Sequence, residues 1–216
     1  LKNNKDIKNV ILNYSNQLSS FIYQQLKKNI WFSKPEYNFK LISEFNLQKN
    51  KQFIIKDKTK ILTLDKQVQK LRDINEYIYS DLKKCTSDYV KFDSDPERKF
   101  AYLLDKYSEN VQKWTRPSTE DIAIEWESGK YYEPDFIFEF ENFKIITEIK
   151  DEKSLDNDEV RKKMEAALKW ISYVNKMNTE KNKWIYLLIP DTEIKTTSTI
   201  DSFIKKFKKD NVLSNK

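Results

Sequence analysis

Histidine is absent from this 216-residue sequence, and cysteine and glycine occur once each, as Cys85 and Gly129. Without histidine there is no His-based triad, no His–zinc site and no imidazole general base. One cysteine excludes an internal disulfide framework and a Cys-rich metal site. One glycine excludes a Walker A loop and a Rossmann fingerprint, which need several glycines where backbone meets phosphate, so no bound nucleotide is expected. No apolar run approaches the ~18 residues of a transmembrane helix. The opening LKNNKDIKNV lacks the apolar core of a secretory signal. A cytoplasmic location without a membrane partner is the expectation. The sequence starts at Leu1 rather than Met and reads as a piece of something longer. The chemistry left to it is that of carboxylates, lysines and a hard metal ion.

What is present is charge and aromatic bulk. Charged residues make up 34% and hydrophobic residues 38%, yet 13 Phe, 12 Tyr and 5 Trp suffice to build a core. The length suits one large domain, or one domain plus an extension. The net charge of +6 is carried by 36 lysines and only four arginines. A basic balance suits a polyanion, although lysine-rich composition also follows from A+T-rich codons. The distribution is more informative. Residues 121–141 hold seven acids against Lys130 alone, 161–183 hold seven bases against two acids, and 195–216 hold six against two. An acidic pocket bordered by basic segments suits a metal-dependent phosphodiesterase, whose acids hold the cation and whose bases hold the backbone.

Periodicity predicts an amphipathic helix over 5–31, short extended runs over 37–64, and a second helix over 65–84 through Val68, Leu71, Ile74 or Asn75, and Ile78. Residues 85–94 are the candidate boundary, dividing an N-terminal extension (1–90) from the main domain (91–216). Ser94-Asp95-Pro96-Glu97 opens a helix running to about Tyr107, with capping-box spacing and an early proline. The alternating IAIEWE of 122–127, a turn at Ser128-Gly129-Lys130, a strand over 131–140, a turn at Glu141–Phe143 and a strand over 143–150 predict an antiparallel meander. A helix over 158–177, a strand from Trp184 to Ile189 and a basic helix around 198–209 complete an α/β fold with a central mixed sheet flanked by helices.

Folding the hairpin about Glu141–Phe143 brings the start of one strand, at Asp135, to the end of the other, at Glu148 and Lys150. Residues two apart on a strand share a face, so two carboxylates and one ammonium converge. Mg²⁺ takes carboxylate oxygens at roughly 2.0–2.1 Å and keeps several waters, and Mn²⁺ substitutes. Lys150 is suited to hold a phosphate or orient the attacking water.

Pro134-Asp135, twelve residues, then Glu148-Ile149-Lys150 resembles the PD-(D/E)xK nuclease motif. The longer order SDPERKFAYLLD, VQKWTR, IAIEW, YYEPDFIFEF, ITEIK, EVRKKMEAALKW and WIYLLIP resembles the C-terminal endonuclease domain of type III restriction enzymes, over about 90–192. That domain follows a superfamily 2 helicase motor in the restriction subunit and in related helicase–nuclease proteins; no motor lies in this sequence. The resemblance implies a restriction-endonuclease-like fold and Mg²⁺-dependent cleavage of duplex DNA. It also implies a motor in the same full-length chain and a separate modification or recognition subunit. It assigns the metal to Asp135, Glu148, the backbone carbonyl of Ile149 and an upstream Glu97, and assistance of the nucleophile to Lys150. It adds Lys163 as a phosphate or active-site contact.

Other readings stay open. Glu97 also fits a capping-box acid, Lys163 competes with Lys162 as a solvated helix position, and Trp170 fits the core better than a site. The final basic segment, with Lys205, Lys206, Lys208 and Lys209, is a candidate DNA contact, and the run Lys49–Lys60 suits a solvated loop. Cys85 reads as a small core filler. The rival functions are a catalytically inactive DNA-binding or docking module and a stand-alone nuclease of junctions or repair intermediates.

Overall fold

The strand that carries Glu148, FKIITEIK, is buried on both faces from Ile145 to Ile149, as a strand covered from both sides is, although one of those faces carries Lys144, Glu148 and Lys150. The structure is a computed structural model and describes residues 4–29, 60–118, 121–177 and 182–209. The chain divides into two compact units, Leu1–Glu44 and Phe45–Lys216. The described part of the first is helix α1 (Asn4–Asn29), kinked at Tyr14 (φ −127°). Ile7, Ile11, Leu18, Phe21, Ile22 and Leu26 of its apolar stripe are exposed, and the helix matches the expected span.

In the second unit β1 (Ile61–Thr63) pairs in parallel with β2 (Ile78–Ser80). The helix expected over 65–84 is absent. A short 3₁₀ turn, Leu71–Glu76, and β2 occupy that stretch. The helical spacing of apolar residues is misleading here, because Leu71 points to solvent while the consecutive Ile78 and Tyr79 are both buried. Two adjacent buried side chains suit a strand between layers. Of the extended runs expected over 37–64, residues 37–59 lie outside the described residues.

Helix α2 (Asp95–Tyr102) begins where the sequence placed it, with Ser94 as N-cap and Pro96 in its first turn. It passes into a π-helical turn, Leu103–Tyr107. The strand β3 (Val111–Thr115) follows, an element the hydrophobic pattern does not single out. Then come β4 (Ile124–Glu127), β5 (Lys130–Tyr132), β6 (Phe136–Phe140) and β7 (Phe143–Lys150). Gly129, at φ +73°, makes the β4–β5 turn, as expected. The meander is nevertheless broken. The β4–β5 hairpin is a sheet of its own, while β6 and β7 join a five-stranded sheet of order β3-β6-β7-β8-β9. Pro134, with no N–H to donate, lies in the break between β5 and β6.

Helix α3 (Asp158–Met177) carries the chain back so that β8 (Lys183–Pro190) pairs in parallel with β7. Asn157 caps α3 by accepting from the Glu159 N–H at 3.0 Å. The last helix, α4 (Ile200–Phe207), is shorter than expected. Lys208 and Lys209 form strand β9, antiparallel to β8 at Tyr186 and Leu187. The fold is thus mixed α/β, a mixed sheet flanked by helices.

Side-chain alternation sorts the core into two layers. Ile145, Ile149, Leu187 and Ile189 meet Phe100, Leu104 and Phe203 of α2, the π-turn and α4. Ile146, Tyr186 and Leu188 meet α3 through Ala167, Leu168 and Ile171, and Ile124 and Tyr132 of the β4–β5 hairpin join them. Each fully buried large apolar side chain contributes roughly 1.5–3 kcal/mol. The first layer also contains Leu64, Val68, Ile74, Tyr79 and Val90. The division expected at residue 90 therefore does not separate two cores. Cys85 packs against the same layer, as a core filler would.

Buried polar groups tie the segments of the first layer together. Asp105, 1% exposed, accepts from the Lys83 and Lys84 backbone N–H groups (3.0 and 2.9 Å) and from Trp114 Nε1 (3.0 Å). Arg98, paired to Asp95 at 2.8 Å, donates to the Leu64 carbonyl.

Candidate active site

The open end of the β6–β7 hairpin positions the acidic pair. Phe136 pairs with Thr147, so Asp135, one residue before β6, lies across from Glu148. Both share the face of Ile137 and Ile146, and Lys150 lies two residues on. Asp135 Oδ2 accepts from the Ile149 N–H at 2.7 Å. Lys150 Nζ lies 2.6 Å from Glu148 Oε1. Glu148 is buried, and its other oxygen, Oε2, has no hydrogen-bond partner among the described residues.

The electrostatics follow from this crowding. Burial pushes the Asp135 carboxyl well above the usual carboxylate range, and the negative charges of Glu148 and Glu97 push it further. Lys150 and the Ile149 N–H only partly offset them. Burial also raises Glu148, against the opposing pull of Lys150 and Lys163. Burial alone would lower the Lys150 ammonium, but Glu148 and Asp135 outweigh it and hold the lysine above its ordinary value. Two carboxylates that resist ionising beside one another are short of positive charge.

Glu97 reaches this field from α2, but its oxygens are engaged. They accept from the Asp93 N–H (3.1 Å) and the Ser94 hydroxyl (2.8 Å), and Arg116 Nη1 lies 2.7 Å away. Ser94 caps α2 by accepting from the Glu97 N–H at 3.4 Å, but the Glu97 carboxylate takes the Asp93 N–H, the Ser94 hydroxyl and Arg116 instead of the Ser94 N–H that a capping box would use. Arg116 lies over the rings of Phe92 and Phe136 (5.3 and 5.6 Å to the centroids) and pairs with Asp93 at 3.1 Å. No motif in the sequence singles out Arg116. Only its scarcity, as one of four arginines, hints at a bidentate or stacked role.

Lys163, on the first turns of α3, lies near the site. It pairs with Glu159 at 2.6 Å, and its ammonium lies 5.2 Å from the Trp126 ring centroid and 6.0 Å from that of Tyr132. Its neighbour Lys162 pairs with Asp158 at 3.1 Å. Trp126 and Tyr132, on the β4–β5 hairpin, are site neighbours that sequence reasoning misses. The signal for Trp126 is the alternation of IAIEW, which marks one face of the strand but not what lies across it. Trp170 packs edge-to-face on Trp184, with centroids 5.1 Å apart, as a core residue. Lys205, Lys206, Lys208 and Lys209 lie on α4 and β9, the sheet edge two strands from β7. Lys206 pairs with Glu193 at 2.7 Å.

Among the described residues no group of three Asp, Glu or Cys side chains converges to hold an ion by itself. The donor set nevertheless fits a hard cation that keeps waters. It comprises two buried carboxylates whose charge Lys150 only partly offsets, one of them with an orphaned oxygen. Among known proteins, no family model, no curated protein and no solved structure matches this chain. No helix among the described residues is long and apolar enough to cross a membrane.

Proposed function

We propose that this chain is a metal-dependent endonuclease module, restriction-endonuclease-like in fold, that hydrolyses phosphodiester bonds of duplex DNA. In the full-length protein it serves as the nuclease part of a helicase-coupled, type III-like restriction enzyme that works with a recognition subunit. The observation that carries the reading is the pairing of Asp135 with Glu148 across the hairpin end, with Lys150 bonded to the same carboxylate and Oε2 left over. A purely structural Glu–Lys pair would leave no such excess of buried acid.

Asp135 and Glu148 would hold Mg²⁺, with the Ile149 carbonyl and Glu97 as the further ligands the motif implies. When bound, the ion supplies a Lewis acid that polarises the phosphodiester and acidifies a water. Lys150, fixed by Glu148, keeps a compact positive charge on the same face, where it stabilises negative charge developing at phosphorus. Lys163 adds a second positive charge from α3. The surrounding apolar layer excludes bulk water and strengthens each of these interactions.

The test is cleavage of supercoiled plasmid by the longest available form of the protein, with Mg²⁺ or Mn²⁺. Cutting should stop with chelator and in the Asp135→Ala, Glu148→Ala double variant. Cutting that survives both overturns the assignment. A second reading, a docking module that binds DNA without cutting it, is favoured by the engagement of Glu97 with three donors. DNA binding without divalent-dependent cleavage in any form of the protein selects it.

A further inference from the structure

Beneath the acidic pair lies a phenol layer with no role in the chemistry above. Tyr132, at the end of β5, and Tyr186, in β8, are 6% and 1% exposed and belong to the layer under α3. Tyr186 pairs with Ile146, two residues before Glu148 and on its face. The two phenols adjoin, and the charges of both Glu148 and Asp135 reach them. Burial holds both phenols well above their ordinary range, so they keep their protons and remain donors.

The Tyr132 hydroxyl makes no bond of good hydrogen-bond geometry among the described residues, its polar neighbour being the Tyr186 hydroxyl, and Glu148 Oε2 makes none either. More than nine in ten buried polar groups in folded proteins are paired. Here a buried donor without an acceptor, on the β4–β5 hairpin, and a buried acceptor without a donor, on β7, both lie on the α3 side of the five-stranded sheet. The ring that carries the donor is held in place. Lys163 lies over it at 6.0 Å, and β5 is paired to β4 through Ile124↔Tyr132.

We propose that Tyr132 is a positioning residue for Glu148: its hydroxyl serves the inner oxygen, Oε2, and fixes the carboxylate while the outer oxygen, Oε1, passes from Lys150 to a divalent cation. This rests on the metal-binding part of the reading above. The physical need is plain. A carboxylate held mainly by an ammonium 2.6 Å from Oε1, with the Asp135 backbone as a weaker partner and no donor on Oε2, is freer to turn once a cation competes with that ammonium. A fixed donor on the second oxygen removes that freedom, and outer-shell donors of this kind typically change metal affinity 10–100-fold.

Tyr132→Phe keeps the ring, its packing and the Lys163 contact, and removes one oxygen. Two measurements on the metal-free, full-length chain decide the matter. The melting temperature should stay the same or rise, because an unsatisfied buried hydroxyl is lost. Mn²⁺ affinity by calorimetry should fall about 10-fold or more. A lower metal-free melting temperature overturns the proposal, since the hydroxyl then has a structural partner. Unchanged Mn²⁺ affinity beside a wild type that binds also overturns it, and leaves the nuclease reading intact. A wild type that binds no Mn²⁺ overturns the metal reading itself, and this inference with it.

Discussion

Asp135 and Glu148 lie across from each other at the end of the β6–β7 hairpin, and Asp135 is clamped to the strand of Glu148 by the Ile149 N–H at 2.7 Å. The fold therefore holds two buried carboxylates together against their repulsion. A carboxyl whose folded pKa is raised adds stability only below its unfolded pKa, and that contribution is lost as pH rises through the folded value. At neutral pH the pair is a cost to stability.

Neutralising one member should therefore stabilise the metal-free protein. Asp135→Asn keeps an acceptor for the Ile149 N–H and removes a charge. We expect a melting temperature higher by about 2–4 °C, the shift produced by ~1 kcal/mol in a domain of this size. Calorimetric Mn²⁺ binding should be lost in the same variant. An Asp135→Asn protein that melts lower, or binds Mn²⁺ as the wild type does, contradicts the paired-carboxylate account.

Lys150 should matter to rate more than to binding. Its ammonium is held by Glu148, and its raised pKa keeps it charged through neutral pH. Lys150→Ala should lower the cleavage rate by ~10²–10³, the scale of one preorganised electrostatic partner. DNA affinity should change little. Lys150→Arg should rescue poorly, because a planar fork does not replace a compact ammonium. Single-turnover rates beside filter-binding affinities provide the check, and wild-type cutting by Lys150→Ala would remove the lysine from the mechanism.

Asp105 should govern acid stability. Burial would raise its carboxyl, but the Lys84 and Lys83 N–H groups and Trp114 outweigh burial and hold it below the usual value. A depressed folded pKa adds stability above the unfolded value of ~3.8, which is lost as pH falls through the folded one. Asp105→Ala leaves the buried Trp114 indole and two part-buried backbone N–H groups without their acceptor and should cost ~3 kcal/mol at pH 7. The difference from wild type should shrink as urea denaturation is repeated at pH values falling below ~4. A constant difference over that range would show that its charge contributes nothing.

The basic edge should hold the DNA backbone. Reversing Lys205, Lys206, Lys208 and Lys209 to Glu should weaken binding to all duplex sequences alike. For every phosphate that the variant no longer neutralises, the slope of log K against log salt should flatten by roughly 0.9. An unchanged slope would mean that α4 and β9 face solvent in the complex.

Much of the site's frame is legible because it is local. Ser94 and Glu97 announce a helix start at fixed spacing, Gly129 marks a turn, and the Asp135 and Glu148 strands are joined by a two-residue turn that fixes their register. The region from 61 to 80 is not legible in the same way. A spacing of three to four residues does not distinguish a helix from 3₁₀ and strand pieces packed into a larger core. Asp105 is hidden for a related reason. Its donors come from Lys83, Lys84 and Trp114, which no short motif places beside it.

Composition and spacing settle which chemistry is open to this protein. No histidine, one cysteine and one glycine leave carboxylates and lysines, and the alternation of residues on β6 and β7 makes Asp135, Glu148 and Lys150 share a face. How those charges are balanced is a property of the packed fold alone. Packing detaches the β4–β5 hairpin from the main sheet and sets Trp126 and Tyr132 against α3. It commits Glu97 to Arg116, and it leaves one oxygen of Glu148 unpaired beside a phenol layer. Residue type and spacing fix side-chain direction within an element. Which groups meet across elements depends on packing between distant segments, where burial sets the strength of each charge and the partner supplied by another layer decides whether it is satisfied.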